Sequence, residues 1–145
     1  KVRASALASD PFTARDLVMP DVNACTRIAA KDAYEQAGLG AEDVNLVELH
    51  DCFATAEMLH YENLGLCKDG EAGMMIDDGH VELGGKIPVN VSGGLLSKGH
   101  PLGATGARIT GKAAELLVRE NKKYALATQC IGYGMGIATI IETVN

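Results

Sequence analysis

Two periodicities take turns along the chain. Val2 to Ala8 reads as a strand, and after the turn signals Asp10-Pro11 and Pro20-Asp21 the apolar positions Val22, Cys25, Ile28, Ala29, Ala33 and Ala37 recur at helical spacing. Gly38 and Gly40 stop that helix. Val44 to Leu49 predicts a short strand, and Phe53 to Leu64, rich in Ala, Glu, Leu and Met, predicts a second helix ending at Gly65. From Gly65 to about Gly85 the pattern fades into a glycine-rich, charged excursion that accommodates a small hairpin. Ile87 to Val91 predicts a strand, and a glycine-rich loop follows. Ala107 to Arg119 predicts a third helix, with Ile109, Ala113, Leu116 and Leu117 on its apolar side. Tyr124 to Gln129 and Ile137 to Val144 predict two closing strands around Cys130 to Gly136. The expected order is βαβαβαββ with the excursion at residues 65–86. Helices between strands imply right-handed crossovers, hence an α/β fold with a mainly parallel mixed sheet, helices on both faces, and an antiparallel last pair.

Composition narrows the function classes. With 145 residues, 47% hydrophobic and 22% charged, the chain supports one packed domain rather than a disordered segment. A net charge of -6 and an aromatic content of 4% argue against a nucleic-acid surface, which needs basic excess and stacking rings. The apolar runs are too short for a membrane span. Four cysteines without a leader sequence are expected as reduced thiols in a reducing compartment. Lys1 in place of a start methionine suggests a fragment or processed half.

In sheets of this kind the ligand crevice lies at the carboxyl ends of the strands. Three chemically loaded stretches fall there: His50-Asp51-Cys52-Phe53, Gly99-His100-Pro101 and Cys130-Ile131-Gly132. A loop histidine is most often structural, but five glycines between Gly93 and Gly106 permit close backbone approach to a ligand around His100. The P-loop spacing is absent, with Lys98 on the wrong side of the loop. Cys130 alone reads equally well as a small buried residue. Gly132, Gly134 and Gly136 free the backbone around its thiol, placing a glycine N–H where an oxyanion would form. The β-branched run from Ile137 excludes a dinucleotide fingerprint, which needs a helix at that point. His50 and Cys52 have ordinary capping and packing roles as the alternative. Asp51 and Glu57 read as cap or supporting partners. Cys25, Cys67, His60 and His80 take the plain structural reading. No CxxC or histidine spacing supports a metal site.

Asn90-Val-Ser-Gly-Gly-Leu-Leu-Ser-Lys-Gly-His-Pro-Leu-Gly-Ala-Thr-Gly106 resembles the histidine loop of the thiolases, and Cys130-Ile-Gly-Tyr-Gly-Met-Gly-Ile-Ala138 resembles their C-terminal cysteine loop. His50-Asp-Cys-Phe53, with Glu57, Tyr61-Glu62 and Leu64-Gly-Leu-Cys67 behind it, is similar to the sterol-carrier-protein-2-like branch, where other relatives carry Asn-Glu-x-Phe. The resemblance covers almost the whole chain and corresponds to the C-terminal half of a thiolase. It implies an acyltransferase acting on coenzyme A thioesters by way of an acyl-cysteine, in thiolysis or the reverse condensation. His100 would activate the nucleophilic cysteine, which lies in an N-terminal half, and with His50 would hold the enolate oxygen. Cys130 would move the α-carbon proton, with Cys52 the competing acid/base, and the Gly132 N–H would help hold the acyl-enzyme oxyanion. Coenzyme A enters as substrate, with no permanently bound cofactor and no metal. The family also implies a dimer or tetramer, and leaves cytosol and peroxisome both open. Two other readings stand beside it: a non-catalytic half that scaffolds a partner, and a thiolase-fold retro-aldolase acting on steroid side-chain CoA esters.

Overall fold

The computed structural model describes residues 1–9 and 24–144. Its centre is a four-stranded mixed sheet in the order β1-β4-β3-β2, with β1 at Val2–Ser9, β2 at Leu46–Glu48, β3 at Tyr124–Gly132 and β4 at Met135–Glu142. Among the described residues five α-helices accompany it: α1 at Ala24–Ala37, α2 at Ala54–Asn63, α3 at Ala72–Asp77, α4 at Gly94–Lys98 and α5 at Thr105–Arg119.

Side-chain size explains how the sheet is covered. Ala4, Ala6 and Ala8 of β1 point to one face and meet Ala29, Ala30, Ala33 and Ala37 of α1, so helix and sheet approach closely without bulky side chains between them. Leu126 and Ile140 complete that layer, whereas their neighbours Ala125 and Ile141 point to the opposite face, against Ala113, Leu116 and Leu117 of α5. Helices thus cover both faces, as expected for this α/β class. Burial of Leu116 and Leu117 contributes roughly 1.5–3 kcal/mol each, enough to fix α5 and the loop that precedes it.

The mainly parallel sheet expected from the alternation of helices and strands is corrected. Among the described residues only β2 and β3 form a parallel ladder, whereas β4 pairs antiparallel with both β1 and β3. Strands β1, β2 and β3 do run in a common direction. The return strand of the final hairpin inserts between β1 and β3 and reverses both of its pairings.

Three further elements differ from expectation. Ile87 to Val91 is no strand, because it touches β2 through a single parallel bridge between Val47 and Val89. Pro88 has no N–H to donate, and Asn90 turns out of the extended region at φ 46. The excursion contains α3, and returns through bonds from Ile87 N to His80 O and from Val89 N to Val81 O, both 2.9 Å, instead of a hairpin ladder. The final hairpin is tighter than expected. β3 runs through Cys130 to Gly132, and only Tyr133 and Gly134 connect it to β4. Both have positive φ, 53 and 70, the requirement of a type I′ turn. The predicted helix start at Val22 lies outside the described residues. Among the described residues, no helix is long and apolar enough to cross a membrane.

Candidate active site

β2, β3 and the Val89 bridge are mutually parallel, so the chain leaves all three at the same edge of the sheet. His50 follows β2, the glycine-rich loop with His100 follows Val89, and Cys130 lies near the end of β3. The three stretches singled out in the sequence therefore share one rim.

Side chains lock this rim together. Where the bridge ends, the Asn90 side chain takes over the part of a strand carbonyl: its Oδ1 accepts Leu49 N–H at 2.8 Å, one bond after Asn90 N–H donates to Val47 O at 3.0 Å. Asp51 is 2% exposed, and its carboxylate accepts the N–H groups of Leu95 and Leu96 at the start of α4. The expected capping role is present, but it serves a helix remote in sequence rather than the adjacent α2. Gly94, at φ 54, has no room for a Cβ because the Asp51 carboxylate occupies that space. Leu95, Ile109 and Ala127 form a small apolar cluster that seats α4 and α5 against β3.

His100 is exposed on the loop between α4 and α5. Its Nδ1 lies 2.7 Å from Thr105 Oγ1, whose hydroxyl donates to Pro101 O at 3.1 Å. A hydroxyl has one proton to give, so Nδ1 of His100 must be the donor and Nε2 is left with a free lone pair. Arg108 braces the loop by donating to the carbonyls of Gly99 and Lys98. The His50 and His100 rings meet edge to face, with centroids 4.8 Å apart and planes at 85°. His50 is 5% exposed, and burial depresses its basicity, reinforced by the neighbouring His100 charge and opposed by Asp51. His50 is thereby held neutral near pH 7.

The two cysteines lie within reach of each other. Cys130 is half-buried at an irregularity in β3, where the pairing shifts between Cys130 and Gly132 and Gly132 takes φ 108. Cys52 is exposed next to Asp51. Partial burial raises its thiol above the usual range, and the Cys130 charge raises it further, which places the two sulfurs within electrostatic reach. Backbone hydrogen bonds oppose that rise.

His50, Cys52, His100, Cys130 and Gly132 thus lie along one rim. Cys25 is buried on α1, and Cys67 packs half-buried against the main core. Sequence reasoning gave no functional weight to two groups at the floor of the rim. Glu48 is 3% exposed with one unpartnered oxygen, and lines a narrow crevice with Lys98, Arg108 and Lys112. Burial pushes its carboxyl up to about 7, with Lys98 and Lys112 opposing and Asp51 and Glu57 reinforcing. His60 lies on the buried face of α2 with Ala56 and Asn63, at helical spacing. That spacing was the available signal. Glu57, on the same helix, accepts the Tyr61 hydroxyl at 2.8 Å, and burial raises its carboxyl.

Residues 13–144 match the family described as thiolase C-terminal domain-like. Sterol carrier protein 2 of Rattus norvegicus is 59% identical over 78 residues, 54% of this chain and 14% of the relative. The benzoylsuccinyl-CoA thiolase subunit BbsB of Thauera aromatica is 47% identical over 109 residues, 74% of this chain and 28% of the relative. An acetyl-CoA acetyltransferase of Methanothermobacter thermautotrophicus is 44% identical over 119 residues, 80% of this chain and 30% of the relative. The chain therefore spans less than a third of the length of each of these proteins.

Proposed function

The chain belongs to the thiolase family through its C-terminal domain, and on that premise we propose that it forms the acid/base half of a thiolase site. The reaction is 3-oxoacyl-CoA plus CoA to a shortened acyl-CoA plus acetyl-CoA or propionyl-CoA, or the reverse Claisen condensation. The observation that supports this reading best is the His100 arrangement. Nδ1 is committed to Thr105, Nε2 is free, and His50 stands edge to face with the ring.

A cysteine supplied from outside these residues loses its proton to His100 Nε2 and attacks the 3-oxo carbon. The resulting oxyanion is held by the Gly132 N–H. The bond between the second and third acyl carbons then breaks, leaving the acyl group on the cysteine and the electron pair in the enolate of acetyl-CoA. The protonated His100 and a neutral His50 N–H hold that enolate oxygen. Cys130 delivers its proton to the α-carbon. It recovers a proton from the incoming CoA thiol, whose sulfur takes the acyl group from the cysteine. Coenzyme A is a substrate throughout, and the site assembles with an N-terminal thiolase half in a homo-oligomer.

The test is thiolysis of acetoacetyl-CoA by the complete protein, with His100→Ala as the matched variant. Turnover that disappears in the variant while the fold is retained is expected. Equal turnover in His100→Ala would overturn the assigned role, and a complete protein inactive in both directions would transfer the reading to a scaffold. Retro-aldol cleavage without thiolysis would transfer it to the steroid side-chain chemistry.

A further inference from the structure

Glu48 is a buried acid with incomplete surroundings. Its side chain has no part in the chemistry above, its Oε1 accepts no hydrogen bond, and the crevice beside it is walled by Lys98, Arg108 and Lys112. Strand alternation puts it there, because Leu46 and Glu48 leave β2 on the same face and Leu46 packs against α5. A buried carboxylate without a partner is costly, and one that receives a cation is tolerated. The crevice offers about 10 Å³ of open space, room for one water molecule or one ammonium group. A metal ion would meet the charges of Lys98, Arg108 and Lys112 there, and an anion would meet Glu48. The guest whose size and charge both fit is a lysine ammonium of the chain itself.

The Arg108 guanidinium is too large for that space and is committed to the carbonyls of Lys98 and Gly99, at 3.3 and 2.8 Å. Lys98 ends α4 and is exposed. Lys112 differs from both, since its side chain is only 20% exposed while its ammonium is turned outward to Glu115 at 2.8 Å. Glu115 is 58% exposed and has a second cation, Arg119, at 3.8 Å. We propose that Lys112 is a latch with two seats: when Glu48 ionises, the ammonium leaves Glu115 for the crevice, and a buried ion pair then joins β2 to α5. Glu48 releases its proton to solvent, and Lys112 keeps its own while changing partner. The exchange is favourable because an exposed pair on one helix is worth little and Glu115 retains Arg119, whereas the buried carboxylate gains the cation it lacks. The groups facing Glu48 place the exchange near neutrality. Burial pushes its carboxyl up to about 7, Lys98 of α4 and Lys112 of α5 oppose the rise, and Asp51 after β2 and Glu57 of α2 reinforce it. The latch spans the two elements behind the histidine pair, because β2 leads into His50 and α5 opens on Thr105, the residue bonded to His100. Its effect on turnover rests on the thiolase reading above, whereas the exchange itself does not.

The experiment compares crystal structures of the complete protein at pH 5 and pH 9, with ¹³C-carboxyl glutamate signals followed in solution over the same range. The expected result is Lys112 Nζ on Glu115 at pH 5 and within hydrogen-bond reach of Glu48 at pH 9. In solution the Glu115 carbon should shift at the Glu48 midpoint, as its lysine departs, and that step should vanish in Glu48→Gln. Lys112→Met should raise the Glu48 midpoint by about one pH unit or more, and Lys98→Met by less. Lys112 still on Glu115 at pH 9, a water in the crevice in place of the ammonium, or a larger rise in Lys98→Met than in Lys112→Met would overturn the proposal. Acetoacetyl-CoA thiolysis is measured alongside: the exchange in a protein with no thiolysis would retain the latch and discard the reaction assigned to the site. The two wild-type crystal structures decide the matter even if a variant does not fold.

Discussion

Asp51 accepts the N–H of Leu95 at 2.6 Å across a separation of 44 residues, tying the stretch that carries His50 to the helix that precedes His100. The second oxygen holds Leu96 N–H at 3.2 Å. One buried carboxylate therefore sets the spacing of two loops whose histidines, His50 and His100, meet edge to face. Asp51→Ala is expected to leave two donors without an acceptor and to destabilise the complete protein by about 2–4 kcal/mol. Asp51→Asn keeps one acceptor oxygen and loses about half as much. Denaturant midpoints of the two variants check this; an unchanged midpoint in Asp51→Ala would show that α4 needs no such anchor.

Thr105→Val keeps the shape of the side chain and removes the oxygen that accepts His100 Nδ1–H. Turnover is expected to fall ~10–100-fold with a small change in KM, whereas Thr105→Ser retains most activity. Steady-state thiolysis of acetoacetyl-CoA separates these outcomes. A KM effect alone would place Thr105 in binding rather than in orienting His100.

Glu48 imposes a pH dependence on stability. Its folded-state carboxyl is raised to about 7, chiefly by burial, above the 4.5 of an unburied glutamate. The protonated folded form is thus favoured: the contribution is fully present below pH 4.5 and is lost as pH rises through 7. Glu48→Gln removes this titration. Relative to the variant, the wild type should lose on the order of 1–3 kcal/mol between pH 4.5 and 8. Parallel stability curves for the two proteins across that range would contradict the assignment.

The two thiols are separated by proton exchange rather than by overall turnover. Cys52 is kept in its protonated form near neutrality by burial and by the adjacent Cys130 charge. Cys130→Ala is expected to abolish exchange of the acetyl-CoA α-protons with deuterated solvent, and Cys52→Ala to slow it less than tenfold. The reverse pattern would transfer the acid/base role to Cys52.

The loaded stretches were legible because each combines a reactive side chain with residues that change backbone direction, as His100 does with its glycines and Cys130 with Gly132. Their convergence was legible from the common direction of the strands. The details of the sheet were not. No periodicity announces that β4 returns between β1 and β3, since alternation decides which face a side chain takes and not which strand lies beside it. Ile87 to Val91 has strand composition, and the missing N–H of Pro88 together with the conformation of Asn90 limits its pairing to one bridge. His60 followed the same helical spacing as the buried residues Ala56 and Asn63, so its burial was readable. The partner of Asp51 was hidden, because a carboxylate before a helix points first to that helix.

The insertion of β4 also separates local pairings from distant ones. The β3–β4 hairpin closes through a two-residue turn and can form from local contacts, and helices α1 and α5 can form from their own spacing. β1 has no local partner: its register joins Val2 to Ile141 and Ser9 to Met135, almost the full length of the chain apart. Closing so long a loop costs entropy before any pairing repays it, so β1 is expected to join the sheet after the hairpin has formed. Without β1, one edge of β4 and the alanine face of α1 would be open, an unpaired strand edge of the kind that accepts a neighbouring chain.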